Sequence, residues 1–173
     1  MLAYGLGRGR GSLLRKHLVE GDTQALHAEA LLDACAGQGS LIISFIAERK
    51  RMDAAEVDML ALVELLRRNG LTRNQLDRAK ALFLADHFRS LETLEQRADS
   101  LASQELFANG LDRDEIVQTV AAVTERETQR AAERYLVESN LAVVELLPEG
   151  EDARTFSGES FLDAVRTLLP GAI

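Results

Sequence analysis

Among 173 residues there is one cysteine, Cys35, and there are only three histidines, His17, His27 and His87. A single thiol excludes an internal disulfide and a thiolate-built metal site. Its setting between Ala34 and Ala36 reads as a small buried side chain, not a reactive one. No two histidines stand four apart, so no helix presents a pair of imidazoles to one metal ion. Also missing is any apolar run near the roughly 18 residues that a membrane helix requires. No positively charged leader followed by an apolar stretch opens the chain, and neither a signal peptide nor an anchor is expected. Positive charge is in deficit: 20 Lys and Arg stand against 28 Asp and Glu, for a net charge of -8. A nucleic-acid binder needs a basic patch to neutralise phosphates, so that class is excluded, and the acidity serves solubility.

What is present is globular composition, 46% apolar and 28% charged, over a length that makes one domain or a large part of one. The run from Gly5 to Gly11 reads as a flexible opening loop. Ser12 then stands as the N-cap of a short helix reaching about Glu20. Period-two alternation predicts a strand over 23–34, turn residues follow at Ala36 to Gly39, and a β-branched apolar strand over 40–48 completes a hairpin. Asp53 with Glu56 has capping-box spacing ahead of Val57, Leu60, Leu62, Leu65 and Leu66, and Gly70 terminates that helix. Thr72 with Gln75 opens a second, which continues or kinks through Leu94 to Leu106 before Asn109 and Gly110. Asp112 with Glu115, then Thr124 with Glu127, begin two shorter helices. A returning strand over 140–147 ends at Pro148, which cannot donate to a ladder. Residues 1–148 form the body and 149–173 a tail in which Phe161, Leu162, Val165, Leu168 and Leu169 suit a terminal amphipathic helix. Helix, hairpin, several helices and a strand give an α+β class, an antiparallel sheet covered on one face by helices.

Two segments carry a resemblance that runs along most of the chain. Leu71-Thr72-Arg73-Asn74-Gln75-Leu76-Asp77-Arg78-Ala79-Lys80 and Val123-Thr124-Glu125-Arg126-Glu127, in that order, resemble the second half of a pitrilysin/insulinase-type zinc metallopeptidase unit, the family that includes mitochondrial processing peptidase. The family's C-terminal module runs from a glycine-rich turn and Ser-led helix through a β-hairpin, a helix pair with Ala-Lys in the second, a Val-Thr-capped helix and a closing strand ended by proline. Matching parts here are Leu6 to Leu14, the hairpin over 23–47, Leu76 to Lys80, Val123-Thr124 and Leu146-Leu147-Pro148, so the likeness covers residues 5–148. The module begins with another strand and helix ahead of the glycine turn, so the resemblance implies an N-terminally truncated module.

The resemblance does not bring catalysis with it. The family's signature is H-x-x-E-H, two zinc-binding histidines and a general-base glutamate, and His17-Leu18-Val19-Glu20-Gly21 has Gly21 where the second histidine must stand. One imidazole and one carboxylate fall short of the three or four ligands a zinc site needs. The family's two-module enzymes also place an Arg and a Tyr near the first strand to polarise the substrate carbonyl. Val19 and Leu26 occupy those places here, and neither aliphatic side chain can stabilise an oxyanion. His27 and His87 read as structural histidines. The glycine run lacks the Walker lysine and Ser/Thr of a phosphate loop. Asp112, Asp114, Glu125 and Glu127 sit at helix starts, where they favour the local dipole, and Arg49-Lys50-Arg51 and Arg67-Arg68 read as solvated faces.

The expectations are therefore these. The chain offers no catalytic, cofactor-binding or metal-ligating residue, and zinc belongs to a separate catalytic module. By resemblance it is a non-catalytic C-terminal module that forms part of a peptide-holding chamber or supports a catalytic peptidase partner, with peptide as a possible ligand. The alternative is a structural or assembly scaffold without a peptidase role, as the core subunits of respiratory complexes are in this family. Missing elements ahead of the glycine turn would leave apolar surface and a strand edge uncovered, which predicts self-association, as a symmetric dimer through the sheet.

Overall fold

The computed structural model describes residues 1–20, 25–35, 38–107 and 113–150. The chain opens with a short helix, α1 (Leu2–Gly7), followed by a wide π-type turn over Arg15–Val19. Strands β1 (Ala25–Cys35) and β2 (Gln38–Ala47) come next, and then five helices: α2 (Met52–Asn69), α3 (Arg73–Arg89), α4 (Leu94–Phe107), α5 (Arg113–Ala122) and α6 (Glu125–Tyr135). This is a helix-rich α+β chain with a two-stranded antiparallel sheet.

The glycine run is helical in its first half and a turn in its second, where Gly9 has a φ of 76°. Gly5 and Gly7 lie inside α1, where the Gly5 N–H donates to Met1 O at 2.9 Å. A Cβ on Gly7 would fall on the backbone nitrogen of Ala30, and one on Gly5 would strike the end of Leu71. These positions lack side chains because α1 lies directly on β1 and on Leu71, a close approach that composition alone reads as looseness. Ser12 does cap the next turn, its Oγ accepting from Arg15 N–H at 3.3 Å, and the Glu20 N–H reaches Arg15 O at 2.9 Å, the long i to i+5 bond of a π turn.

The hairpin pairs as the alternation predicts, Ala28 opposite Phe45, Ala30 opposite Ile43 and Leu32 opposite Leu41. Its register slips once, between Ala25 and His27, leaving Leu26 as the extra residue of a bulge and 71% exposed. On the inner face Ala25, Ala28 and Ala30 pack with Leu6, Leu14, Leu18, Met59, Leu60 and Leu66.

Three of the predicted capping boxes fall among the described residues. Thr72 with Gln75 and Thr124 with Glu127 form complete capping boxes. Asp53 with Glu56 does not: a 3-10 turn over Arg49–Arg51 feeds straight into α2, so Asp53 is already helical and Glu56 is buried. Gly70 ends α2 with a φ of 68°, where a side chain would be strained. The long helix breaks rather than continues: α3 stops at Ser90 and Thr93 caps α4 through Gln96 N–H at 3.2 Å. Asp112, the pair Asn109-Gly110 and the expected helix over 161–169 lie outside the described residues.

The returning strand needs correction. The backbone is extended at Leu141, but residues 141–148 join no ladder, and among the described residues the sheet is β1 and β2 alone. Sequence alternation prescribes an extended backbone; a partner at hydrogen-bonding distance is a separate, non-local requirement, which this segment does not meet among the described residues.

Leu6, Leu14, Leu18, Leu71 and Leu76 are the large side chains most completely shut from solvent. Leu71 joins α2 to α3, touches α1 at Gly5, and its N–H donates to Thr128 Oγ1 of α6 at 3.4 Å. Leu71→Ala is therefore expected to cost about 2–5 kcal/mol by urea unfolding. Leu146→Ala, at a side chain 93% exposed, should stay within about 0.5 kcal/mol. Equal small effects would show that Leu71 is not in the core.

Candidate functional site

The main concavity is a trough of about 2780 Å³ between β2, α2 and residues 137–148. Its floor follows from helix periodicity: Met52, Met59, Leu60 and Val63 of α2 line it, and Leu41, Ile43 and Phe45 of β2 form one wall. Burial is uneven across the sheet. Ala25, Ala28 and Ala30 of β1 are 4–8% exposed, whereas Leu41, Ile43 and Phe45 on the same face are only half-buried. The core closes over Ala25 to Ala30 of β1 and opens along β2 and at Leu32, which is 63% exposed. Beyond the trough, residues 141–148 keep a strand-like alternation, with Val144 and Leu146 93% exposed and Glu145 and Leu147 half-covered.

Charges on the trough's rim are already matched within the chain. Glu64, its side chain 17% exposed, receives Arg67 in a bidentate pair at 2.6 Å and Arg68 Nε at 2.9 Å. The hydrogen bond from Arg67 holds the Glu64 carboxyl below its ordinary value of 4.5, against the upward push of burial. At the other end, Asp86 of α3 accepts from Tyr4 OH at 3.3 Å and from Arg8 Nε at 3.0 Å, with Arg89 at 2.9 Å. Burial first, and then the Asp86 charge, raise the Tyr4 hydroxyl above its ordinary value. Phe83 meets the Tyr4 ring edge-on at 5.4 Å. This cluster fastens α1 to α3 and holds its tyrosine protonated.

The three histidines lie on separate elements. His17 is exposed on the π turn, and Glu20, its partner in the partial signature, pairs instead with Arg15 at 2.8 Å. His27 sits on β1 beside Glu29 at 3.6 Å. His87 stacks on Phe83 at 6.3 Å, and its buried Nε2 meets no hydrogen-bond partner among the described residues. No group of three or more His, Cys, Asp or Glu side chains among the described residues is placed to hold a metal ion. Leu26 is exposed in the bulge and Val19 half-buried in the turn. Of Cys35 only the backbone is described, as the last residue of β1. The features that sequence reasoning missed are long-range ones: Tyr4 with Asp86, Arg78 Nη2 donating to Gly5 O at 3.4 Å, and Gln129 Nε2 donating to Arg68 O at 2.7 Å. No local pattern announces them.

Chemically the trough is an apolar surface bordered by backbone, without a nucleophile–base pair in it. No helix among the described residues is long and apolar enough to cross a membrane. No protein-family model and no curated protein matches the sequence. Solved structures do match the fold. A protease from Helicobacter pylori is similar over 80% of this chain and 34% of its own, with a TM-score of 0.70 and 23% identity. The inactive peptidase domain of a protein assigned as a zinc protease from Bordetella parapertussis is similar over 80% of this chain and 75% of its own, with a TM-score of 0.65 and 22% identity. A protein assigned as a zinc protease from Bordetella pertussis gives a TM-score of 0.63 at 22% identity. The chain thus spans about a third of the Helicobacter structure and about three quarters of each Bordetella structure, and it shares their fold.

The rim charges carry a pH signature. A carboxyl held below its ordinary value in the folded chain contributes stability above that value and loses it as pH falls through the folded pKa. Glu64→Gln should therefore lower stability at pH 7 by about 0.5–1 kcal/mol, and the difference should fade once the pH drops below 4.5. A gap that stays constant into acid would assign the loss to packing instead.

Proposed function

We propose that this chain is a non-catalytic, C-terminal-type module of a zinc-peptidase-like assembly, in which residues 1–148 form one wall of a peptide-holding chamber and support a catalytic partner. The single observation that carries this reading is the pairing of a protease-type fold with an apolar trough that has no ligand set or proton-transfer pair in it. Catalysis in such an assembly needs a metal and a group to activate water, and both would come from the partner; the chain's own part is to present surface. Its matched rim charges and apolar floor suit an uncharged stretch of extended polypeptide better than a polar small molecule.

The test pairs the isolated chain with a partner bearing an H-x-x-E-H helix, encoded in the same or a neighbouring gene. Alone and dialysed, the chain should hold substoichiometric zinc by elemental analysis and leave a peptide library intact. Together the two should form a stable complex that cleaves peptides faster than the partner does by itself. Tightly held zinc with metal-dependent cleavage by this chain alone would refute the reading. A stable complex whose cleavage rate ignores this chain would favour a scaffold with no peptidase role.

A further inference from the structure

Among the described residues α4 is a helix with little to lie on. Of its described side chains only Ser100 is not exposed, and Leu94, Leu101 and Leu106 are 83%, 66% and 71% exposed. A helix of 14 residues is marginal in water by itself, because helices in proteins draw most of their stability from packing. Its residues are also sorted. Helical spacing gathers Leu94, Ala98 and Leu101 beside Glu95, Asp99 and Glu105 on one side, and puts Arg97 on the other, where it donates to Leu91 O at 2.6 Å. None of those three carboxylates has a hydrogen-bond or ion-pair partner among the described residues.

α6 carries the complement. Arg126, Arg130 and Arg134 recur every fourth residue along its exposed side, over about 12 Å of helix. Elsewhere Arg8, Arg15, Arg67, Arg68 and Arg73 each meet a carboxylate. Arg126 and Arg130 pair with none among the described residues, and Arg134 lies over the Tyr135 ring at 5.2 Å. The carboxylates bordering this line are engaged, Glu127 by Thr124 and Glu133 by Gln129. Like charges four apart weaken a helix, so the line works against α6 itself.

We propose that α4 of one copy of this chain lies on α6 of a second, and α6 of the first on α4 of the second, in a two-fold dimer. The faces match in kind and in step. Glu95 and Asp99 stand four residues apart, as the arginines do, so both rows of charge repeat at about 6 Å along their helices. The arginine stems then cover Leu94 and Leu101. A second copy is the occupant because one molecule holds both halves of the contact. Neither α4 nor the three arginines line the trough, so the dimer stands whether or not the chain serves a peptidase.

The whole chain is sedimented from low to high micromolar concentration, beside two charge reversals, Arg126→Glu with Arg130→Glu and Glu95→Arg with Asp99→Arg. The expected result is a reversible dimer of the unaltered chain, self-affinity lowered by about tenfold or more in each reversal, and dimer mass regained when the two reversed chains are mixed. Reversing the arginines makes the chain more acidic and reversing the acids makes it less so. General repulsion would therefore weaken one variant and strengthen the other, whereas contact between the two faces weakens both. All four positions are exposed, and helical circular dichroism checks that each chain is folded. The neutral pairs Arg126→Gln with Arg130→Gln and Glu95→Gln with Asp99→Asn, measured alongside, should weaken the dimer in the same direction by a smaller factor. An unaltered chain that stays monomeric throughout overturns the proposal. So does a dimer indifferent to either reversal, a mixture that fails to pair, or a mass that climbs past two copies.

Discussion

Everything in this chain depends on how closely α1 can lie against its neighbours. Gly5 and Gly7 leave no side chain between the helix and either Leu71 or the backbone at Ala30, and that contact draws α1, β1 and the α2–α3 junction into one core. Leu71 is the shared member: it touches α1 and hydrogen-bonds to α6 through Thr128. A methyl group at Gly7 would separate helix from strand, and the alanines of β1 would lose the surface that hides them. Arg78 reinforces the seat by donating to Gly5 O, and Tyr4 and Arg8 fasten the same helix to Asp86. The polar clamps orient what the apolar contact stabilises.

Because this seat lies on β1, the core is finished on one side of the hairpin and unfinished on the other. β2 therefore presents a half-covered apolar row and a free backbone edge to the trough, with residues 141–148 as its far border. Among the described residues the trough gathers mainly apolar side chains and main-chain groups, with Glu64 on its rim paired to Arg67 and Arg68.

How much of this was legible in the sequence depended on the range of each interaction. Capping boxes are local, so Thr72 with Gln75 and Thr124 with Glu127 could be read directly. Asp53 with Glu56 shows the limit, since the same spacing also occurs inside a helix whose start is set by a preceding turn. The hairpin was legible because alternation and turn residues adjoin each other. Over 140–147 alternation gave the extended backbone but could not reveal that no strand lies beside it, because pairing depends on what occupies the neighbouring space. Gly5 and Gly7 misled, because close packing and flexibility call for the same residue, whereas Gly9 and Gly11 do lie in a turn. The rim pairs between Tyr4 and Asp86, or Gln129 and Arg68, join residues 82 and 61 apart and leave no local trace. The absence of a second histidine beside Glu20 needed no structure at all.

The central claim is that the sheet of this chain is open along β2. Residue-resolved hydrogen exchange on the free protein, at a concentration where sedimentation reads a single chain, tests it directly. The β2 amides that bond to β1 should be strongly protected, while the alternate β2 amides and those of residues 142–147 should exchange nearly as fast as in an unfolded chain. Uniform protection along β2 together with protected amides at 142–147 would mean that the trough is closed by the chain itself, and would contradict the account.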